Sequence, residues 1–274
     1  MRVLVTNDDG VHAPGMAMLA DAAREVFSDV TVVAPLTEQS GVSQALSLHR
    51  PLRLEDHGDD RWSVDGTPVD AVFVALAHVM KGRRPDLVLS GLNHGPNVGY
   101  DIYYSGTVGA AREGLIHGVP SAAFSLSSRA PFDFVAVRPI LVEVLRRLRE
   151  HGLPAETMLN VNVPRVQPDA PPGWLGLHGV RGLVTTTLGR RYYGNEVVHR
   201  EDPRGRPYFW IGGAWPRMEH IDGTDCEAVR HGWVSVTPLG LDATHRPGLE
   251  HLTTHFSDRA AGPVARPPDA SEKP

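Results

Sequence analysis

The chain has 274 residues, 41% of them hydrophobic and 22% charged, with a net charge of −5. Those proportions suit an ordinary globular domain with appendages, and the negative balance argues against a polyanion partner such as duplex DNA, which needs a basic face. A small phosphate ligand stays open, because a metal or a helix N-terminus supplies local positive potential. The single cysteine, Cys226, has no partner for an intramolecular disulfide, which suits a reducing compartment. The opening MRVLVTNDDG does not read as a signal peptide, and no window approaches the roughly 20 apolar residues that span a bilayer. A cytoplasmic protein without a membrane partner is expected.

In chain order, Arg2 to Thr6 is a short β-branched run that stops at Asn7-Asp8-Asp9-Gly10 and reads as a buried strand ending in a loop. Met16 to Phe27 places Met16, Leu19, Ala23 and Val26 on one helical face. Val30 to Ala34 is a second strand, so the first 35 residues or so form a βαβ unit. The alternation continues. Pro68 to Met80 reads as a helix, Leu87 to Ser90 as a strand, and Thr107 to His117 as a helix capped by Gly118. Ser121 to Leu126 reads as a strand, Val137 to His151 as a helix with Pro139 near its start, and Leu159 to Val163 as a strand. This pattern predicts an α/β fold: a Rossmann-like, doubly wound, mostly parallel sheet between two helical layers.

After Pro164 the chain changes character. Glycine, proline and arginine separate short β-like pieces at Gly182 to Leu188, Glu196 to His199 and Tyr208 to Ile211, and Trp233 to Thr237 is one more strand. The expected organisation is a catalytic core over 1–164, a β-rich C-terminal extension over 165–258 that returns a strand to the core, and a Pro-rich disordered tail over 259–274.

Ligands of open parallel sheets bind at the carboxyl ends of the strands, which selects three loops. In the first, Asp8 and Asp9 are adjacent carboxylates that a hard divalent cation would compensate. Asn, Asp and Gly are equally the residues of a plain turn, and the loop by itself leaves both readings open. In the second, Ser40 beside Gly41 offers a hydroxyl to a metal or a phosphate oxygen, although alone it reads first as a Ser-Gly turn. The third carries Asn93 and Asn97, four apart in a Gly-Pro loop. It is followed by Ser105-Gly106-Thr107, which opens a helix with free amides and two hydroxyls. That turn suits phosphate, and a capping Ser would account for the helix start alone.

The motifs VTNDDGVHAPG, VVAP…QSG, DGTPVD, PDLVLSGLNHGPN, YSGTVGAAREG, NVNVP and GTD…GWVSVTPL, in this order from Met1 to about Thr244, resemble the SurE family, the stationary-phase survival proteins that act as 5'-nucleotidases. The resemblance implies one divalent metal, Mg²⁺ or Mn²⁺, held by Asp8, Asp9, Ser40 and Asn93, with Asp8 and Asp9 carrying the catalysis. It implies a phosphate pocket of Asn97, Ser105, Gly106 and Thr107, and a C-terminal arm that helps build a homodimer or homotetramer. The expected reaction is hydrolysis of nucleoside 5'-monophosphates, with 3'-monophosphates also open, through metal-activated water or Asp-assisted attack on phosphorus. His12, beside the Asp pair, reads first as a solvent-facing or loop-bracing histidine, with a general acid for the leaving ribose oxygen as the alternative; no role is assigned to His94, and Asp225 is expected to be structural. The alternative is a nucleotide-binding regulatory module without turnover. A metal-dependent glycosyl- or nucleotidyl-transferase is a further rival. Dinucleotide oxidoreduction is disfavoured, because NDDG stands where G-x-G-x-x-G would be needed.

Overall fold

The first strand, β1 (Arg2–Thr6), buries Val3 and Val5 on one face and Leu4 on the other. Burial on both faces is what a parallel sheet covered by helices requires. The computed structural model describes residues 1–127, 134–166, 179–193, 197–212 and 217–256. Helix α1 (Pro14–Val26) starts on Pro14 and buries Met16, Leu19, Ala23 and Val26 against one face of the sheet. Strand β2 (Asp29–Pro35) then runs parallel to β1.

An unforeseen hairpin follows: β3 (Leu54–Asp56) and β4 (Arg61–Val64) pair antiparallel. Its turn holds Gly58, Asp59 and Asp60 at positive φ, the region that glycine and short polar residues tolerate best. Helix α2 (Pro68–Val74) opens with a capping box. The Asp70 amide donates to the Thr67 hydroxyl (3.1 Å), and the Thr67 amide donates to Asp70 Oδ2 (2.8 Å). The expected helix over Pro68 to Met80 is therefore not uniform, since Ala75–Val79 widens to a π turn, with the Met80 amide reaching the Ala75 carbonyl at 2.8 Å.

Strand β5 (Leu87–His94) runs past the expected stop at Ser90. Gly91, at φ 133°, lets the strand continue through a register shift against its neighbour between Ser90 and Asn93. Such a bulge re-aims the side chains that follow it. After a 3₁₀ turn over Gly99–Tyr103 come α3 (Gly106–Ile116), β6 (Ser121–Ser127), α4 (Phe134–His151) and β7 (Met158–Pro164). Helix α4 starts ahead of the expected Val137, so Pro139 lies in its second turn, where it forfeits one ladder bond near the amide end.

The later part contributes β8 (Leu183–Thr185), β9 (Arg191–Tyr192), β10 (Val197–Glu201), β11 (Pro207–Ile211), β12 (Arg217–Met218), α5 (Asp225–Arg230) and β13 (Val234–Leu239). The nine-stranded sheet has the order β3-β4-β2-β1-β5-β6-β7-β13-β8. From β4 to β7 every pair is parallel, and β13 joins β7 antiparallel. Helices α1 and α4 pack together on one face, α2 and α3 on the other. This is a three-layer α/β fold whose strand order reverses direction between β1 and β5. Strands β10 and β11 form a separate hairpin, and β9 pairs with β12.

Residues Met1–Leu241 form one compact unit and Asp242–Pro274 a second. The described element of the second is α6 (Arg246–Phe256), not foreseen, with an Asp242–Arg246 ion pair ahead of it. The tail expected over 259–274 lies outside the described residues.

Candidate active site

The end of β1 is held open by its own turn. Asn7 Nδ2 donates to the Gly10 carbonyl (2.9 Å), and the Gly10 amide returns a bond to Asn7 Oδ1 (3.2 Å). The brace leaves Asp8 and Asp9 between β1 and its neighbours. The Gln39 amide donates to the Asp8 carbonyl (2.7 Å), which ties the Ser40 loop to the same edge. Asp8 is buried, and Thr107 donates its hydroxyl to Asp8 Oδ1. Burial pushes the Asp8 carboxyl up to about 6, with the neighbouring Asp9 charge adding to the rise and the Thr107 hydrogen bond opposing it. Burial also raises Asp9. His94 opposes that rise by its charge and by its backbone amide, which donates to Asp9 Oδ2 at 3.3 Å, and Glu38 adds to it. Among the described residues, no lysine or arginine pairs with either carboxylate.

The N-terminus of α3 meets this pair. Ser105 caps the helix, accepting from the Val108 amide (3.1 Å). Gly106 is what permits the approach, because a Cβ there would lie 2.8 Å from Asp8 Cβ and 3.2 Å from Pro68 Cγ. The positive end of the helix points to the same edge, and the Thr107 backbone as well as its side chain bonds the Asp8 carboxyl. Asn97 is fixed from three sides. Its amide donates to Asn162 Oδ1 (2.8 Å), its Nδ2 to Ser125 Oγ (2.7 Å), and its carbonyl accepts from Asn160 (2.8 Å) and Asn162 (3.0 Å).

These parts open on one cavity of about 640 Å³, whose walls include Asp8, Ser40, Asn93, His94, Asn97 and Ser105. Asp9, Gly106 and Thr107 do not line it: Asp9 contacts His94, and Gly106 and Thr107 are buried. The donor chemistry fits a hard divalent cation: two carboxylates raised by burial, a serine hydroxyl, and an asparagine whose Nδ2 is committed to the Gly95 carbonyl (2.9 Å), which leaves Oδ1 as its ligand atom. Among the described residues, no group of three or more His, Cys, Asp or Glu could hold a metal, so a cation here depends on the hydroxyl and the amide as well.

A family model described as Survival protein SurE matches residues 3–195. The chain belongs to the SurE family. A protein of Anaeromyxobacter sp. named 5'-nucleotidase SurE is 52% identical over 254 residues, covering 92% of this chain and 94% of its own. A second of that name from Geobacter sulfurreducens is 47% identical over 253 residues, covering 92% of each chain. The crystal structure of a SurE protein from Aquifex aeolicus superposes with a TM-score of 0.79 at 36% identity, covering 93% of this chain and 99% of the other.

In this SurE chain the structure brings all eight residues singled out from the sequence to one sheet edge, but with unequal access. Thr107 spends its hydroxyl proton on Asp8, and Ser105 uses its oxygen as a cap. Several residues of the site had been passed over. Asn160 and Asn162, both fully buried, hold Asn97. Their signal was the strand NVNVP, where polar residues alternate onto one face of a buried strand. Asp101, Arg191 and the tyrosines of the cavity wall carry no local pattern that would mark them.

Proposed function

We infer that this chain is a metal-dependent 5'-nucleotidase, a phosphohydrolase that releases phosphate from nucleoside 5'-monophosphates. The observation that carries the reading is the buried Asp8 carboxylate, with the part-buried Asp9 beside it, set against the N-terminus of α3 at one cavity. Its support from relatives is the name 5'-nucleotidase SurE on proteins 44–52% identical over more than nine-tenths of the chain. One Mg²⁺ or Mn²⁺ would be held by Asp8, Asp9, Ser40 and Asn93, where it would supply Lewis acidity and charge neutralisation toward the phosphoryl oxygens. Ser105 and the positive N-terminus of α3 face those oxygens and stabilise the charge that grows on them. Asn97, held rigid by β6 and β7, fixes their orientation. Thr107 orients the Asp8 carboxylate. Asp8 or Asp9 either orders the attacking water or attacks phosphorus itself.

The reading extends to assembly and location. The extension over 165–258 is an oligomerisation arm of a homodimer or homotetramer, since both strands of the β10–β11 hairpin are exposed throughout. A cytoplasmic location is supported by the free Cys226 and by the lack, among the described residues, of any helix long and apolar enough to cross a membrane.

The test is phosphate release from nucleoside 5'- and 3'-monophosphates with chelator, Mg²⁺ or Mn²⁺, for wild type and Asp8→Asn. Metal-dependent release that Asp8→Asn reduces by 10²-fold or more is expected. Binding without release under every metal would instead make the chain a regulatory module.

A further inference from the structure

A second cavity, of about 470 Å³, lies between α1 and the turn that joins β3 to β4. It shares no lining residue with the cavity at Asp8 and Asn93, and its volume suits a small organic molecule. Val11, Met16, Ala17, Ala20 and Val32 give it an apolar wall, and all of these but Ala17 are buried. The opposite wall is fixed by backbone bonds. The Arg61 amide donates to the Gly58 carbonyl (3.0 Å), which closes the turn, and the Val32 amide donates to the Asp60 carbonyl (2.8 Å), which ties the turn to β2. Arg61 stands beside Val32 in the sheet. The exposed His12 meets the ring of His57 edge to face, with centroids 5.3 Å apart, and so joins the loop ahead of α1 to the same hairpin. The cleft is thus shaped before a ligand arrives, which lowers the ordering cost of binding.

Besides His12, four charged side chains border this cleft: Asp21, Arg24, Asp59 and Arg61. Arg24 and Asp21 pair with each other at 3.3 Å and compensate one another. Asp59 and Arg61 form no ion pair among the described residues, and the Nε of Arg61 is buried without an acceptor. A buried charged donor left unpaired is costly and uncommon. An unpaired aspartate in an exposed turn is ordinary by itself. Here it stands two residues from the unpaired guanidinium, within about 7 Å along the backbone, and both groups border the same apolar wall.

We propose that this cleft is a binding site for a free α-amino acid with an apolar side chain. Such a ligand carries a carboxylate and an ammonium on one carbon, the pair of charges that Arg61 and Asp59 together lack. Arg61 takes the carboxylate, for which the guanidinium fork is suited. Asp59 accepts from the ammonium, and the side chain lies against Met16, Ala17, Ala20 and Val32, where burial of apolar surface adds to the binding. A ligand of single charge satisfies one of the two groups and is repelled by the other, so the cleft selects a zwitterion over a plain acid or a plain amine. The proposal stands apart from the nucleotidase reading, because neither charged group belongs to the nucleotide cavity.

The experiment is calorimetric titration of the full chain with L-leucine and L-phenylalanine at millimolar concentration, for wild type, Arg61→Ala, Asp59→Asn and Asp8→Asn, with a thermal melt of each variant. Two analogues of leucine serve as further probes: 4-methylpentanoate, which lacks the amine, and 3-methylbutylamine, which lacks the carboxylate. Wild type should bind at least one of the amino acids saturably, one per chain. Arg61→Ala and Asp59→Asn should each raise its Kd about tenfold or more, and each leucine analogue should bind about tenfold more weakly than leucine. Asp8→Asn and an excess of AMP should leave the Kd unchanged. No saturable binding by wild type, an unchanged Kd in either Arg61→Ala or Asp59→Asn, or an analogue that binds as tightly as leucine overturns the proposal. Displacement by AMP also overturns it, since the amino acid would then occupy the nucleotide cavity. Should a variant fail to fold, the two analogues on wild type decide by themselves.

Discussion

Asp8 shows how a buried carboxylate opposes stability at one residue. Its carboxyl is raised from 3.8 to about 6, mainly by burial. The folded protein therefore holds this proton more tightly than the unfolded chain does. In metal-free protein the stability associated with it is full below about pH 4 and is lost as pH rises through about 6, a change on the order of 3 kcal/mol. Asp8→Asn should abolish that decline and make the chelated protein more stable at pH 7, while removing turnover. Urea midpoints measured from pH 4 to 7 check this, and parallel pH dependences in the two proteins would refute it. Gly106 is a second case. An alanine there places its Cβ against Asp8 and Pro68, so the start of α3 must retreat. Gly106→Ala should cost about 1–3 kcal/mol and lower kcat far more than a stability loss of that size explains. A thermal melt beside steady-state kinetics separates the two effects.

At the scale of elements, α3 and the turn after β5 are placed by groups outside them. Asp225, at the start of α5, accepts amides from Gly99, Gly189 and Cys226. Removing the carboxylate strands buried donors from three segments. Asp225→Ala should destabilise by about 2–4 kcal/mol and loosen the cover over Cys226. Burial pushes that thiol up to about 12, with Asp225 adding to the rise, so it should react slowly with Ellman's reagent at pH 8 in wild type and clearly faster in the variant. Equal rates would mean that Asp225 does not hold the cover. The β10–β11 hairpin poses the opposite problem. A two-stranded ribbon exposed on both faces is marginal in water, yet it carries Phe209 and Trp210 at 62% and 64% exposure. Trp210→Glu should reduce the oligomer mass seen by light scattering, and an unchanged mass would discard the arm reading.

Across the whole molecule, the site forms because β1 and β5 are neighbours whose connections leave in opposite directions. Their carboxyl ends open a crevice at that reversal, and Asp8 and Asn93 stand on its two sides. The parallel core was legible in the sequence because each strand is a β-branched run punctuated by turn residues, and each helix repeats its apolar positions at the helical period. The eight residues singled out were legible because they cluster in loops that follow such strands. The hairpin of β3 and β4 was not, since short edge strands bury little and leave weak alternation. Helix α5 escaped notice because six residues are too few to show a period. The extension of β5 to Asn93 was hidden by Ser90-Gly91, which reads locally as a turn and becomes a bulge only when β6 pairs on both sides of it. What the sequence determined by itself is the set of local choices: strand or helix, the acidic loop, the capped start of α3, and the family. Tertiary structure alone decided which of these groups meet. The burial that raises Asp8, the hydrogen bond that commits the Thr107 hydroxyl to that carboxylate, and the convergence of four tyrosines from two distant segments all arise from long-range packing, and no local pattern encodes a contact between residues 99 and 189.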